Sequence, residues 1–318
     1  MYFPFLRGKQ FELIALREIA PVISRYNYIS PIIEPVKRNA STFSKTLGML
    51  IKENINFSIV INPHVGDVQQ DMDYVFENFI NPITSSYNNF HMGIIVTQNT
   101  NINSIEEKLK VHSAEKLSIN LIIGSVDESQ INNLVNFVNI YNVNFIVLGT
   151  QVRKRRNVVR KFRGTKAKLI TVSDPFIKQT RNKDYLIKED EFFSEEHVFY
   201  SDEGYVGFSD FLTIGNDYSD KGYSPYAVAI HLTYPTGDNS FRIRHFVSDS
   251  NDDPSDIAGK FEEALEKLIL FVNEKSLNTS AVKQFKKLYD EQKYPGLGSV
   301  KKLSVLHHIE LVNNYFIM

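Results

Sequence analysis

Short runs rich in Ile, Val and Phe alternate along the chain with longer amphipathic stretches. Strands covered on both faces read as continuous apolar runs, whereas the helices between them carry a 3.6-residue period. Seven runs fit the strand description: Tyr2 to Leu6, Ile29 to Val36, Phe57 to Asn62, His91 to Thr97, Ser118 to Gly124, Asn144 to Gly149 and Lys168 to Ser173. Between them, "STFSKTLGMLIKEN", "DMDYVFENFINPI", "NSIEEKLKVHSAEK" and "DESQINNLVNFVNIY" have helical patterns, with Ser41, Asp71, Ser104 and Asp127 placed to cap them. The alternation predicts βα units around a parallel sheet.

Beyond Ser173 the rhythm breaks. Residues 174 to 224 are aromatic, acidic and irregular, as expected of a long excursion that closes over a site. "YAVAIHLTY" and "FRIRHFVSD" then alternate about "PTGDNS", which predicts a hairpin over about 226 to 248. One of its strands, or "VGFSDFLTI", would supply an eighth strand. Three helical patterns follow: "DPSDIAGKFEEALEKLILFVNEK", capped around Asp253 to Ser255, "SAVKQFKKLYDEQ" and "VKKLSVLHHIELVNNYF". No internal repeat or low-complexity tract interrupts them. Seven or eight parallel strands predict a (β/α)8, TIM-barrel-like fold, with a doubly wound parallel sheet as the alternative. The barrel is favoured because no Gly-rich turn follows the first strand and the strand spacing is steady. The expected organisation is a barrel-like α/β domain over 1 to 275, with a helical segment over 276 to 318 packed on it.

A chain of 318 residues, 42% hydrophobic, can bury a sizeable core. Its 36 Lys and Arg nearly balance 37 Asp and Glu, for a formal net charge of −1, so any polyanion must be met by a local patch. The absence of cysteine excludes disulfides, thiolate catalysis and Cys-ligated zinc or iron-sulfur centres, and fits a reducing cytoplasm. No basic segment precedes an apolar run at the first residues, and runs such as "LSINLIIGSV" fall short of the roughly 18 residues needed to span a bilayer. A cytoplasmic location without membrane contact is expected. The many asparagines fit the codon bias of an AT-rich genome and carry no functional weight.

Barrel active sites are built from the loops after the C-terminal strand ends. Strand one delivers Arg7 and Lys9 there, strand two Glu34 and Lys37, and strand three Asn62, His64 and Asp67. Strand four offers Thr97 and Gln98, strand five Ser125 and Asp127, strand six Thr150 and Arg153, and strand seven Ser173 and Asp174. Arg7 and Lys9, with the Gly8 backbone between them, suit an anion; the bland reading is two solvated loop charges. Glu34, between Ile33 and Pro35, is expected to be buried and to need a cationic partner such as Lys37 or Lys9, as a structural ion pair or as a catalytic acid or base. His64 beside Asp67 reads as a general base or a ligand for a divalent metal, in a pairing too common to decide the role.

The usual nucleophile and phosphate motifs are missing: there is no G-x-S-x-G, Walker A loop, G-x-G-x-x-G or H-E-x-x-H. "GLGS" at Gly296 to Ser299 reads as a turn between helices. His307 and His308, adjacent on a helix, point in different directions and make no metal pair. The strongest charge feature is "VRKRRNVVRKFRGTKAK", with nine Lys and Arg between Arg153 and Lys168. Arg153, Lys154, Arg155, Arg156, Arg160, Lys161 and Arg163, anchored by Val152, Val159 and Phe162, are compatible with a nucleic-acid backbone; the alternative is a solvated helix paired with the acidic stretch Glu189 to Glu196. In "FRIRHF", Arg242 and Arg244 share a strand face, with His245 opposite, and suit a phosphate or carboxylate. "GYVGFSDF" and "GYSPYAVAIHL" place aromatics near Asp210 and His231, for packing or for stacking a base or sugar.

The segments "MYFPFLRGKQFELIALRE", "ISPIIEPVK", "GYVGFSDF", "PYAVAIHLTY", "RIRHFVSDSNDD" and "AGKF" resemble an uncharacterised bacterial group, the beta family proteins, over about residues 1 to 275. The resemblance implies a chain encoded beside a nuclease-like partner, as one part of a two-gene system in phage-defence contexts. It implies no activity. Two function classes stand. The first is a subunit that binds a phosphate-bearing ligand, nucleotide or nucleic acid, with Arg7, Lys9, Lys37, Arg242 and Arg244 as anion contacts. The second is an acid-base or metal-assisted hydrolase, such as a phosphodiesterase, with Glu34, His64 and Asp174 or Asp210 as acid, base or ligands. A third reading is an interaction protein on a degenerate barrel.

Overall fold

All seven apolar runs become strands of one parallel sheet in the computed structural model, which describes residues 1–220 and 225–317. β1 (Phe5–Leu6) leads into α1 (Gln10–Ile23), followed by β2 (Ile32–Ile33), α2 (Ala40–Lys52) and β3 (Phe57–Val60). α3 (Met72–Val75) runs through a π-helical turn (Phe76–Ile80) into α4 (Asn81–Thr84). Then come β4 (Phe90–Val96), α5 (Ile102–Val111), β5 (Ile119–Ile123), α6 (Glu128–Ile140) and β6 (Val143–Gly149). The basic stretch forms α7 (Thr150–Arg153) and α8 (Arg156–Arg163) before β7 (Lys168–Val172). A 3-10 helix (Asn182–Lys188), β8 (Asp190–Ser194), α9 (Glu196–Phe199) and β9 (Gly207–Ser209) follow. The last elements are β10 (Ala229–Pro235), β11 (Phe241–Val247), α10 (Ile257–Glu274), α11 (Ser280–Asp290) and α12 (Leu297–Ile317).

The parallel sheet has the order β1-β2-β3-β4-β5-β6-β7-β9. Its two ends meet. Tyr2 bridges Phe208, the Phe3 N–H donates to the Phe208 carbonyl (2.8 Å), the Phe5 N–H to that of Asp210 (2.9 Å) and the Phe208 N–H to that of Met1 (3.0 Å). The fold is therefore a (β/α)8 barrel; a doubly wound sheet would leave both end strands as edges. The eighth strand comes from "VGFSDF" and not from the hairpin.

The helix starts at Asp71 and Asp127 are where the sequence puts them, and Asp127 forms a capping box with Gln130. Two others begin earlier: Asn39 caps α2 and Asn101 caps α5, each side chain accepting from main-chain N–H groups ahead of it. These asparagines thus have structural work that composition hid. Asp256, not the stretch Asp253 to Ser255, caps α10.

The chain divides into two compact units, and the division differs from a single boundary near 275. The first holds Met1–Gln10, Ser24–Ser173 and Phe199–Asp210, and contains the barrel. The second holds Phe11–Ile23, Asp174–Val198 and the chain from Phe211 onward. In it the predicted hairpin pairs from Ala229↔Val247 to Pro235↔Phe241, and β8 adds to β11 in a three-stranded antiparallel sheet. α12 is tied to β10 by its buried histidines: His307 meets the Thr233 carbonyl (2.7 Å) and His308 the Thr233 hydroxyl (2.9 Å). Most of the expected excursion lies in this unit, and its last residues, 221–224, lie outside the described residues. Among the described residues no helix is long and apolar enough to cross a membrane.

The closing strand leaves no room at its first residue. A Cβ on Gly207 would lie 2.6 Å from the Met1 carbonyl oxygen and 2.7 Å from the Phe3 ring. Gly207→Ala is therefore expected to destabilise the fold by about 2 kcal/mol through overpacking. Gly48→Ala, mid-helix in α2 with nothing within 4 Å, is expected to stabilise by roughly 0.5–1 kcal/mol. Urea midpoints of both variants check the pair; a neutral Gly207→Ala would contradict the tight closure.

Candidate functional site

Two clusters in the barrel unit carry chemistry. The first is at the C-terminal mouth. Gly8 adopts φ +61°, and a Cβ there would lie 2.6 Å from the Glu34 carbonyl oxygen, so only glycine lets the chain turn this closely after β1. The turn sets the Arg7 guanidinium on the Glu34 carboxylate. Glu34 is fully buried, and its other oxygen accepts the His64 main-chain N–H at 2.6 Å. Arg7 also lies 5.3 Å from the centre of the Phe5 ring. The partner of Glu34 is thus Arg7, not the Lys37 or Lys9 read from the sequence; Lys37 pairs with Asp67 (3.4 Å) at the exposed rim, and Lys9 is half-buried beyond Gly8. Burial lowers the pKa of the half-buried His64 ring; Glu34 opposes that shift and Arg7 adds to it. Chemically this is a charge-compensated joint between the loops after β1, β2 and β3, with the His64 imidazole beside it.

The other proposed acids have contacts of their own. Asp210, buried at the end of β9, accepts the Tyr2 hydroxyl at 2.6 Å, and burial followed by this carboxylate pushes the Tyr2 pKa well up. Asp174 belongs to the second unit, where it is exposed and accepts the Asn216 N–H at 3.0 Å. Arg242 and Arg244 are also in that unit, Arg242 on Asp190 (2.5 Å) and Arg244 3.8 Å from Glu189 and over the Phe271 ring. Behind them His245 faces Glu191 (3.3 Å) and shares a 2.8 Å Nδ1–Nδ1 contact with His231, a pair that strand alternation alone did not single out. Arg7, Glu34 and His64 therefore come together in the barrel unit, and Asp174, Arg242 and Arg244 belong to the second unit. No three His, Asp or Glu side chains among the described residues converge to hold a metal ion.

The second cluster is a groove of about 780 Å³ along α7 and α8, lined by Thr150, Arg153, Lys154, Arg156, Val159, Arg160, Arg163, Glu203 and Tyr205. Its origin is the pattern of α8. Val158, Val159 and Phe162 are buried, which turns Arg156, Arg160 and Arg163, at positions i, i+4 and i+7, along one free face. The floor is Tyr205, just ahead of β9 and 7% exposed, with the guanidiniums of Arg153 and Arg163 each 6.0 Å from its ring centre. Arg153 also donates to the Thr171 hydroxyl and Arg163 to the Glu203 carbonyl, so both are held from below.

Five of the seven residues read as a basic patch thus line one groove. The other two are fasteners: Arg155 donates to the Val126 carbonyl (2.6 Å) and Lys161 to Asn132 (3.1 Å). Lys154, Arg156 and Arg160 are exposed and have no ion pair among the described residues. The acidic stretch expected as an alternative partner meets cations of its own unit, with Glu189 on Arg244, Asp190 on Arg242 and Glu191 on Lys188. The sequence missed Tyr205 and Glu203 as groove residues, because only barrel closure brings the segment before β9 against α8.

No family model matches the chain, and no curated protein and no solved structure is significantly similar to it.

Glu34→Ala removes the buried carboxylate on which Arg7 rests and is expected to cost about 3 kcal/mol. Glu34→Gln keeps an acceptor for the His64 N–H and loses less. Thermal and urea unfolding of the two variants measure this, and an Ala variant of undiminished stability would return Glu34 to the catalytic candidates.

Proposed function

We propose that this chain binds the phosphate backbone of nucleic acid in the groove along α7 and α8. The supporting observation is the cluster of five Arg and Lys in the lining, four of them exposed without an ion pair among the described residues, on a chain of net charge −1. Unpaired cations on a near-neutral protein are costly to gather unless an anion uses them, and a line of guanidiniums on one helix face suits phosphodiesters better than a single small anion. Binding of this kind releases counterions and weakens steeply with salt. Among the described residues Glu203 is the one acid in the lining, so the groove keeps a strong positive bias. The hydrolase reading has less support: Glu34 is buried against Arg7 and meets the main chain of His64, not its ring. On the binding reading, the chain would serve as the nucleic-acid-holding member of the two-gene system that the family resemblance implies, with a nuclease-like protein as its partner.

Charge reversal tests the groove. The double variant Arg156→Glu/Arg160→Glu is expected to weaken oligonucleotide binding at least tenfold and to lower the salt slope of the affinity by about two. Fluorescence anisotropy between 50 and 200 mM salt reads both quantities. Unchanged affinity and slope, in a variant of normal stability, would remove the groove as the binding site.

A further inference from the structure

The rim at the N-terminal ends of the strands carries a second feature that the groove leaves unused. Between α1 and β2 the chain reads "SRYNY", and its two tyrosines are among the most exposed aromatics: Tyr26 is 50% and Tyr28 37% exposed. Their rings stack, with centroids 6.1 Å apart and planes within 6° of parallel, so their faces look the same way. Asn27 between them adopts φ 55°, the left-handed conformation that asparagine tolerates better than most residues. Arg25 beside them is exposed and has no ion pair among the described residues. Exposed parallel aromatics next to an unpaired cation form the stacking platform that single-stranded nucleic acid uses, because every base offers a π-face whatever its sequence.

The strand register relates this platform to the groove. The Tyr2 N–H donates to the Tyr28 carbonyl (2.8 Å), and the Phe208 N–H to the Met1 carbonyl (3.0 Å). The strand after Tyr28 and β9 after Tyr205 are thus separated by the first strand alone, which is two strand spacings, about 10 Å. Arg163, Glu203 and Tyr205 mark the end of the groove on this same rim, since Arg163 ends α8 and Tyr205 precedes β9. α8 itself carries the cationic track for about 12 Å. A strand leaving the groove past Arg163 therefore meets Tyr26 and Tyr28 within a few nucleotides.

We infer that the nucleic acid held in the groove is single-stranded, its phosphates following Arg156, Arg160 and Arg163 while its bases stack on Tyr26 and Tyr28. This rests on the groove being the binding site. A duplex would present its phosphates equally well but would keep its base faces inside the helix, where the tyrosines gain nothing.

The test separates the two claims with three probes of the full chain: a labelled single-stranded oligo(dT), a duplex of the same length, and inorganic polyphosphate, which has the charge but no bases. The wild type is expected to bind oligo(dT) more tightly than duplex. Tyr26→Ala/Tyr28→Ala is expected to weaken oligo(dT) binding roughly tenfold or more and to leave polyphosphate binding within about twofold, whereas Tyr26→Phe/Tyr28→Phe retains both. Arg156→Glu/Arg160→Glu weakens all three. Oligo(dT) affinity unmoved by the Ala pair, or tighter binding of duplex, overturns the single-strand inference while the groove stands. A wild type that binds neither oligonucleotide nor polyphosphate overturns the groove and the inference together.

Discussion

A few main-chain hydrogen bonds between the first and last strands hold this protein's candidate sites in place. β9 is three residues long and closes the barrel against Tyr2, Phe3 and Phe5 across some 200 residues of sequence. Closing so long a loop costs entropy that only a cooperative sheet recovers. The return is positional. Just ahead of β9, Tyr205 and Glu203 join the lining of the basic groove; just beyond it, Asp210 reaches the Tyr2 hydroxyl. The same seam places the strand after Tyr28 within two strand spacings of β9.

The barrel was readable because its strands are buried on both faces, so each appears as an apolar run whose position no tertiary context had to correct. The closing strand was one of three candidates because "VGFSDF" is short and lies within an irregular region, where alternation gives no warning that Gly207 must approach the Met1 carbonyl so closely. The second unit was harder to foresee. The helical patterns picked out between strands do not include α1, and its contacts assign Phe11–Ile23 to the unit with the antiparallel sheet and the C-terminal helices. Nothing in the periodicity of a helix states which neighbour its apolar stripe will meet.

The candidate sites divide along the same line. The basic patch was legible because seven cations in eleven residues outnumber any local acid, and the spacing of Arg156, Arg160 and Arg163 marks one helix face. The burial of Glu34 was also legible, from its apolar flanks, but its partner was not: Arg7 reaches it only because Gly8 adopts a left-handed turn between strand and helix. Arg242 and Arg244 show the limit of reading charge by strand face. Alternation correctly aligns them, but the carboxylates that occupy them arrive at the start of β8 and on the residue just before it, in a strand hidden in the acidic excursion. A cation's availability depends on what the fold brings to it, and on that criterion the exposed cations of α7 and α8 stand apart from the paired ones at the mouth and on the sheet.

The measurement that addresses the account most directly is amide hydrogen exchange of the full chain with and without a single-stranded oligonucleotide, since it reports where the ligand lies without altering any residue. Slowed exchange over α7, α8 and residues 203–205, extending to the segment around Tyr26 and Tyr28, is the predicted result. Protection confined to the barrel-mouth loops at 34–38 and 62–67, with α7 and α8 unchanged, would contradict it.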